Sequence, residues 1–186
     1  MNRGEPPNAA TPPPVVVYLG VGSNIKPARN LPDALRLLLE RDQRITATST
    51  VLRTPAIGRP EQDDYFNCVW RLQTRLTPLA LRDNQLRPIE AELGRIRGTD
   101  GYASRPIDLD ILLHGELVRN EPDLQLPDPE IGRRAFLALG LQELAPELPL
   151  LQNAAIRALM TDVAGKLATE TATTAALRKL IRDWSG

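Results

Sequence analysis

The succession of hydrophobic patterns along the chain constrains its fold more than any single motif. Apolar runs typical of β-strands lie at residues 15–24, 45–54, 65–76 and 105–115. Helical spacing of apolar residues is present at residues 31–41, 77–97 and 135–148. The resulting order, β-α-β-β-α-β-α, predicts an α+β protein. We expect a ferredoxin-like α/β sandwich with helices on one or both faces of a mostly antiparallel sheet.

The two ends of the chain differ from its middle. Residues 1–14 are rich in Pro, Asn and Ala, which predicts a disordered or polyproline-like arm. Residues 15–150 carry the strand and helix patterns and are predicted to form the folded domain. Residues 151–186 predict a C-terminal extension of one or two amphipathic helices, which either packs on the domain or contacts a partner.

Charge and residue usage exclude several classes of protein. The chain has 23 basic and 23 acidic residues, and this balance argues against a general binder of nucleic acid or anionic membranes. One cysteine excludes an intrachain disulfide, and one histidine, His114, excludes a metal site built from several imidazoles. We interpret His114 as a structural or surface residue.

The sequence also bears on location. No apolar run approaches the ~18 residues that a membrane span requires. The first 14 residues lack the apolar core of a signal peptide. We therefore expect a cytoplasmic protein.

Two aspartates interrupt the apolar run RPIDLDILLHG at residues 105–115. In a strand, Asp108 and Asp110 point to one face, and Ile107, Leu109 and Ile111 point to the other. Adjacent carboxylates raise each other's pKa unless a cation compensates them. A hard divalent ion such as Mg²⁺, shared with substrate phosphates, is one solution. A polar face salt-bridged to arginines is the other, and the spacing alone does not decide between them.

Three arginines surround the segment that precedes this strand. Arg95 and Arg97 lie at the end of the second predicted helix, and Arg105 opens the aspartate strand, with a glycine-containing loop between them. Exposed surface arginines are one interpretation. Guanidinium groups that close over a polyphosphate are the other. Together with the aspartates, they favour phosphoryl-group chemistry, in which catalysis is positioning and charge neutralisation.

Seven motifs in register resemble one family. They are YLGVGSN, STVLRTPAIG, DYFNCV, ELGRIR, RPIDLDILLHG, LPDPEIGRRAF and ELAPEL. Their order and spacing over about residues 15–150 resemble 6-hydroxymethyl-7,8-dihydropterin pyrophosphokinase. The resemblance implies an α/β sandwich that transfers pyrophosphate from ATP to a hydroxymethyl dihydropterin and releases AMP in folate synthesis.

The resemblance also implies roles for individual residues. Asp108 and Asp110 are expected to hold two Mg²⁺ ions between the phosphates of ATP, the co-substrate. Arg95 and Arg105 are expected to be the catalytic arginines. The expected pterin-binding residues are Thr54, Pro55, Ile57, Tyr65, Asn67 and Phe136. The expected ATP-side residues are Glu90, Arg97, Ile111 and Arg134.

The chain departs from the family pattern at three places. Asp128 stands where the family usually has a histidine that touches the triphosphate. A carboxylate about 5 Å from phosphate costs up to ~3 kcal/mol at an effective dielectric near 20. Either Arg133 neutralises Asp128, or Asp128 turns away and accepts a loop hydrogen bond. Ala103 and Ser104 replace the usual Gly-Pro, and Pro88 interrupts the predicted helix at 77–97.

Three functional hypotheses follow. The first is the Mg²⁺-dependent pyrophosphokinase, with small-molecule substrates and neither nucleic acid nor membrane as partner. The second is a diverged homologue that binds pterin or nucleotide with weak or no transfer, which Asp128 favours. The third, a ferredoxin-like RNA-binding module, is disfavoured by the 4% aromatic content and the zero net charge.

Overall fold

A computed structural model describes residues 12–96, 98 and 103–185 of the chain. Its main sheet contains β1 (Val15–Ser23), β2 (Arg44–Thr48), β3 (Leu52–Thr54), β4 (Tyr65–Thr74), β5 (Asp108–His114) and β8 (Ala168–Thr169). The strand order is β5-β1-β4-β3-β8, and β2 also pairs with β4. Every pairing in this sheet is antiparallel. A separate hairpin joins β6 (Arg119–Glu121) to β7 (Leu124–Leu126).

Helices cover both faces of the main sheet. They are α1 (Pro27–Glu40), α2 (Pro78–Leu81), α3 (Arg87–Glu92), α4 (Ala135–Leu144), α5 (Ala154–Val163) and α6 (Thr171–Trp184). Leu19 of β1 and Leu38 of α1 belong to the larger buried cluster, on one face of the sheet, and Leu177 of α6 joins them. Leu112 of β5 and Leu141 of α4 belong to the second cluster, on the other face. The predicted α+β sandwich with an antiparallel sheet is confirmed.

The predicted helix at 77–97 differs from the structure. Thr77 caps its start, as the sequence indicates, by accepting a hydrogen bond from the Ala80 N–H. The helix then widens into a π-helical segment at Arg82–Leu86 and ends at Glu92, before Arg95. The cause is Pro88, which has no N–H to donate to the preceding turn, so the hydrogen-bond ladder changes register just before it.

Three other boundaries required correction. Helix α1 begins at Pro27, four residues before the predicted start, so Pro32 lies inside it. The predicted strand at 45–54 is divided into β2 and β3, because the Ser49 hydroxyl accepts from the Val69 N–H and diverts the backbone. The segment 117–134, predicted to be mostly loop, contains the β6–β7 hairpin and a 3₁₀ turn at Pro129–Gly132.

The C-terminal segment forms two helices, α5 and α6, with the two-residue strand β8 between them. Leu177 and Ile181 of α6 are buried in the larger cluster, so this part of the extension packs back on the domain. The predicted arm at 1–14 lies mostly outside the described residues. Within the described parts of the chain, no helix is long and apolar enough to cross a membrane.

Candidate active site

A pocket of about 300 Å³ opens over the end of the sheet on the face that α4 covers. The strand register forms its floor. Gly22 of β1 pairs with Asp108 on one side and with Asn67 on the other. Gly20, two residues earlier on β1, pairs with Asp110. Because glycines have no side chain, neighbouring side chains approach this middle strand closely. A Cβ at Gly22 would lie 2.7 Å from Asn67 Oδ1, and one at Gly20 would lie 3.1 Å from Leu137. The pocket volume is at the lower end of the range for small-molecule sites.

Asp108 is the centre of an ionic cluster at the β5 side of the pocket. The Arg95 guanidinium donates to Oδ1 of Asp108 and to Oε1 of Glu90. The Arg105 guanidinium donates to Oδ2 of Asp108. Both oxygens of this carboxylate therefore accept from an arginine. The structure thus shows the ion pairs between Asp108 and arginines that the sequence led us to consider.

Glu90 fixes this cluster to the domain. It is 1% exposed, and its Oε1 accepts from the Leu109 N–H at 2.9 Å as well as from Arg95. The Arg95 N–H also donates to the Glu90 carbonyl oxygen at 2.9 Å. Glu90 thus holds both the start of β5 and the arginine that touches Asp108. It does not line the pocket itself, so its effect on a ligand passes through Arg95 and Asp108.

Asp110 is directed into the pocket, two residues along the same strand face. Its removal from bulk water, and then the charges of Asp108, Glu90 and Asp128, raise the pKa of Asp110 to about 7. Water still reaches this exposed side chain through the pocket mouth. The charge of Arg95 opposes this rise in the pKa of Asp110 in part. A cation bound at Asp110 would remove the repulsion.

The opposite wall of the pocket is mostly apolar and aromatic. Thr54, Pro55 and Ile57 line one edge, after β3, and Phe136 lines the other, at the start of α4. Asn67 lies between them, 5% exposed. Its Nδ2 donates to the Thr54 hydroxyl at 2.8 Å. A side chain that offers an amide beside an aromatic ring can bind a flat heterocycle by its edge and its face.

Tyr65 connects the two halves of the pocket. Burial raises the pKa of its hydroxyl, while the charge of Arg105 lowers it in part. Tyr65 pairs with Thr54 across β3 and β4, so it is attached to the apolar wall. Arg105 lines the same pocket as Tyr65 and Thr54, so the catalytic-arginine candidate also borders the expected pterin side.

Asp128 lines the pocket but does not pair with Arg133. Its Oδ1 accepts from the Glu130 N–H at 2.7 Å and caps the 3₁₀ turn that follows. Arg133 and Arg134 instead bind the Glu130 carboxylate, at 2.9 and 2.8 Å. Burial raises the pKa of Asp128, against which the backbone hydrogen bond acts. Of the two compensations considered from the sequence, the loop hydrogen bond forms, and the charge of Arg133 also acts against the raised pKa of Asp128 without an ion pair.

Two residues of the site were missed by sequence reasoning. Glu130 lines the pocket and holds Arg134, a pairing typical of i,i+4 spacing that the sequence could have suggested. Asn24, 2% exposed, bridges the two loops beside the pocket. Its Oδ1 accepts from the Arg105 N–H at 2.7 Å, and its Nδ2 donates to Gln62 Oε1 at 3.1 Å. These long-range contacts leave no local signal in the sequence.

Ten of the fourteen predicted site residues line this pocket, and three of the described ones do not. Arg95 and Glu90 act behind Asp108, as described above. The Ile111 side chain is buried in the core on the opposite face of β5. Arg97 lies outside the described residues. His114 is 8% exposed and its Nε2 lies 2.9 Å from the Leu76 carbonyl oxygen, which fits the structural role expected for it.

The donor set fits a magnesium ion shared with a substrate. Within the described ranges, no three His, Cys, Asp or Glu side chains form a cluster that could hold a metal by themselves. Mg²⁺ usually takes one or two carboxylates and completes its shell with water and phosphate oxygens. Asp110, whose pKa is raised, and Asp108 beside it are such carboxylates. Binding at Asp108 would require one of its arginines to move.

Comparison with known proteins identifies the family to which the chain belongs. The sequence profile of the family described as 7,8-dihydro-6-hydroxymethylpterin-pyrophosphokinase (HPPK) matches residues 18–146. The chain belongs to this family. The family resemblance drawn from the motifs is therefore confirmed.

Individual HPPK relatives cover most of the chain. A Haemophilus influenzae protein named 2-amino-4-hydroxy-6-hydroxymethyldihydropteridine pyrophosphokinase is 34% identical over 153 residues, 81% of this chain and 94% of its own length. A Pseudomonas aeruginosa protein of the same name is 38% identical over 136 residues, 72% of this chain and 83% of its own. The chain therefore matches both relatives over most of their own length.

A solved structure supports the fold of this HPPK member. It is described as "Crystal Structure Analysis of the HPPK-DHPS in complex with substrates" and aligns with a TM-score of 0.58 at 14% identity. The alignment covers 83% of this chain and 44% of that one, so this chain spans under half the length of the longer protein. At this identity the likeness concerns the fold alone.

Proposed function

We propose that the chain transfers pyrophosphate from ATP to 6-hydroxymethyl-7,8-dihydropterin, releasing AMP, in folate biosynthesis. The observation that carries this is the composition of the single pocket described above. One half offers an amide and an aromatic ring for a flat heterocycle, and the other offers two carboxylates with arginines for a metal-bound polyphosphate. Membership of the HPPK family supports the same reaction.

The pterin would bind against the apolar wall. In this arrangement Phe136 covers the face of the ring, and Asn67 binds its amide edge while remaining fixed by Thr54. The hydroxymethyl group then points along the floor over Gly22, towards Asp108 and Asp110. The bond that forms joins the hydroxymethyl oxygen to the β-phosphorus of ATP. The bond that breaks in ATP joins that phosphorus to the oxygen retained by AMP, and the hydroxyl proton of the dihydropterin is lost to solvent.

The arginines would supply charge in the transition state. Arg95 and Arg105 already lie at Asp108, so only a small displacement brings their guanidinium groups to a phosphate placed between the aspartates. Arg134, held by Glu130, and Arg97 complete the proposed ATP side, with Glu90 as the residue that positions Arg95. Two Mg²⁺ ions, when bound at Asp108 and Asp110, would orient the phosphates and neutralise their charge.

Ile111 has a limited part in this proposal. Its side chain is in the core, so any contact with ATP would be made by its backbone. We also propose that the protein acts in the cytoplasm, as expected from the sequence. The transfer reaction depends neither on the Ile111 contact nor on the cellular location.

An assay of AMP release from ATP and 6-hydroxymethyl-7,8-dihydropterin tests the proposal. We expect release with Mg²⁺ and none with excess EDTA. Absence of release with Mg²⁺ and saturating substrates would contradict the proposed reaction. If calorimetry then detected pterin or nucleotide binding, the chain would be the diverged binding homologue, for which the carboxylates of Asp128 and Glu130 in the pocket are the structural argument.

A further inference from the structure

The segment beyond the family domain is attached to one wall of the pocket. The HPPK profile ends at residue 146, whereas the structure continues through α5, β8 and α6. Strand β8 pairs with β3, placing Ala168 opposite Arg53 and Thr169 opposite Leu52. Strand β3 ends at Thr54, where the expected pterin-binding residues begin. The extension therefore touches the strand that leads directly into the site.

Side chains reinforce this attachment around the start of α6. Glu170, the residue before α6, donates its N–H to the Val51 carbonyl oxygen at 2.8 Å. Its carboxylate accepts from Arg53 Nε at 2.7 Å. Thr174, 5% exposed, accepts from the Val51 N–H at 3.0 Å and donates to the Glu170 carbonyl oxygen at 2.9 Å. Both backbone groups of Val51 are thus held by the extension.

A second contact fixes the residue before Val51. Glu143 of α4 accepts from the Thr50 N–H at 2.8 Å and from the Arg178 guanidinium of α6 at 2.8 Å. Residues 50–53 are therefore held by α6 and by α4 together. These are the residues between the break after β2 and the pterin-side wall.

Strand β3 needs such support because it is short. It has three residues and pairs with β4 through Leu52, Arg53 and Thr54. Without β8 it would be an edge strand, and a three-residue edge strand frays readily. If Thr54 frays, its hydroxyl no longer fixes the Asn67 amide. A ligand that requires the ordered wall binds only those molecules in which the wall is formed. Its apparent Kd therefore rises as the fraction of such molecules falls.

We propose that the C-terminal extension orders the pterin-side wall of this enzyme by holding β3, with Glu170 and Thr174 as positioning residues. This inference rests on the proposed function, since it takes the wall at Thr54–Ile57 to be the pterin side. Loss of this support should weaken binding of the dihydropterin and leave binding of ATP unchanged. Asp108, Asp110, Arg95 and Arg105 of the ATP half lie on β5 and in the segment before it. They are not among residues 50–53, which Glu170 and Thr174 hold.

Steady-state kinetics and amide exchange test the proposal. Thr174→Val removes the acceptor of the Val51 N–H while keeping the shape of the side chain. We expect the KM for the dihydropterin to rise about three- to tenfold. The kcat and the KM for ATP should stay within about twofold. Amide exchange in residues 50–57 should become faster. Thr174→Ser, which keeps the hydroxyl, should have the wild-type KM for the dihydropterin and the wild-type exchange rate in residues 50–57.

Two further variants keep the test decisive. Glu170→Gln weakens the pair with the half-exposed Arg53 and should show a smaller change in the same direction, even if Thr174→Val proves unstable. Lys179→Ala breaks an exposed ion pair on the same helix. It should change neither the KM for the dihydropterin nor the exchange rate in residues 50–57. An unaltered pterin KM with unaltered exchange in Thr174→Val and Glu170→Gln, or equal losses for both substrates, would overturn the proposal.

Failure of the proposed function is separable from failure of this inference. A wild-type protein that releases no AMP contradicts the function. The exchange measurement on the same set of proteins still shows whether α6 orders residues 50–57, and unchanged exchange there overturns the inference.

Discussion

Arg105 and Asp108 form an ion pair in which the guanidinium occupies Oδ2 of the carboxylate proposed to bind the metal. Arg95 occupies the other oxygen. The arginines thus neutralise Asp108, and a metal-bound phosphate would draw them away from it by offering them its own negative charge. One carboxylate and two arginines can in this way exchange partners when ATP binds.

Removal of either arginine should affect turnover more than pterin binding. We expect Arg95→Ala and Arg105→Ala to lower kcat by about 100-fold or more, because donors aimed at developing charge act mainly in the transition state. The KM for the dihydropterin should change little. Arg87→Ala, which removes an exposed arginine paired with Asp83, is the control and should behave as wild type. Equal losses in kcat and pterin affinity would contradict the assignment.

Asp110 should make the stability of the metal-free protein depend on pH. Its pKa is about 7 in the folded state against an ordinary value of 3.8, so the folded protein retains a proton that the unfolded chain loses. Stability is therefore lost progressively as pH rises from about 4 to about 7, and stays lost above that range. Asp110→Asn avoids this loss. Its Tm in EDTA should exceed that of wild type by more at pH 8 than at pH 5.

The same pair of proteins tests the metal site. Mg²⁺ should raise the Tm of wild type at pH 8, because an ion that binds the folded state stabilises it. Asp110→Asn should respond less. A Tm difference between the two proteins that is the same at pH 5 and pH 8 would show that Asp110 does not titrate as described.

Features that depend on residues close together in the sequence were predicted, whereas features that depend on distant residues were not. The two-residue period correctly placed Asp108 and Asp110 on the pocket face and Leu109 in the core. Thr77 and Pro88 acted as their local chemistry predicts. Asn24 could not be predicted, because its partners lie 38 to 81 residues away. Strand β8 was missed for the same reason, since two residues form a strand only when β3 is available to pair with them.

Asp128→Asn should tighten ATP binding. Asparagine caps a helical turn as well as aspartate does, so the hydrogen bond from the Glu130 N–H should persist while the charge is removed. We expect a several-fold lower Kd for a non-hydrolysable Mg²⁺-ATP analogue by calorimetry. Asp128→His, the residue usual in the family, should also tighten binding, but less, because it gives up the cap. Unchanged or weaker binding by the asparagine variant would refute repulsion at this position.

Gly22→Ala should weaken pterin binding selectively. A Cβ at this position would lie 2.7 Å from Asn67 Oδ1, closer than such atoms approach, so the amide would have to move. Asn67 is fixed by Thr54 and Tyr65 lies beside it, so little space is available for that movement. We expect the pterin KM to rise about tenfold or more, which is the loss of one well-placed amide contact. Gly132→Ala, where a Cβ meets nothing within 4 Å, is the matched control and should leave the pterin KM unchanged. An unchanged pterin KM in Gly22→Ala would mean that the Asn67 amide does not bind the substrate.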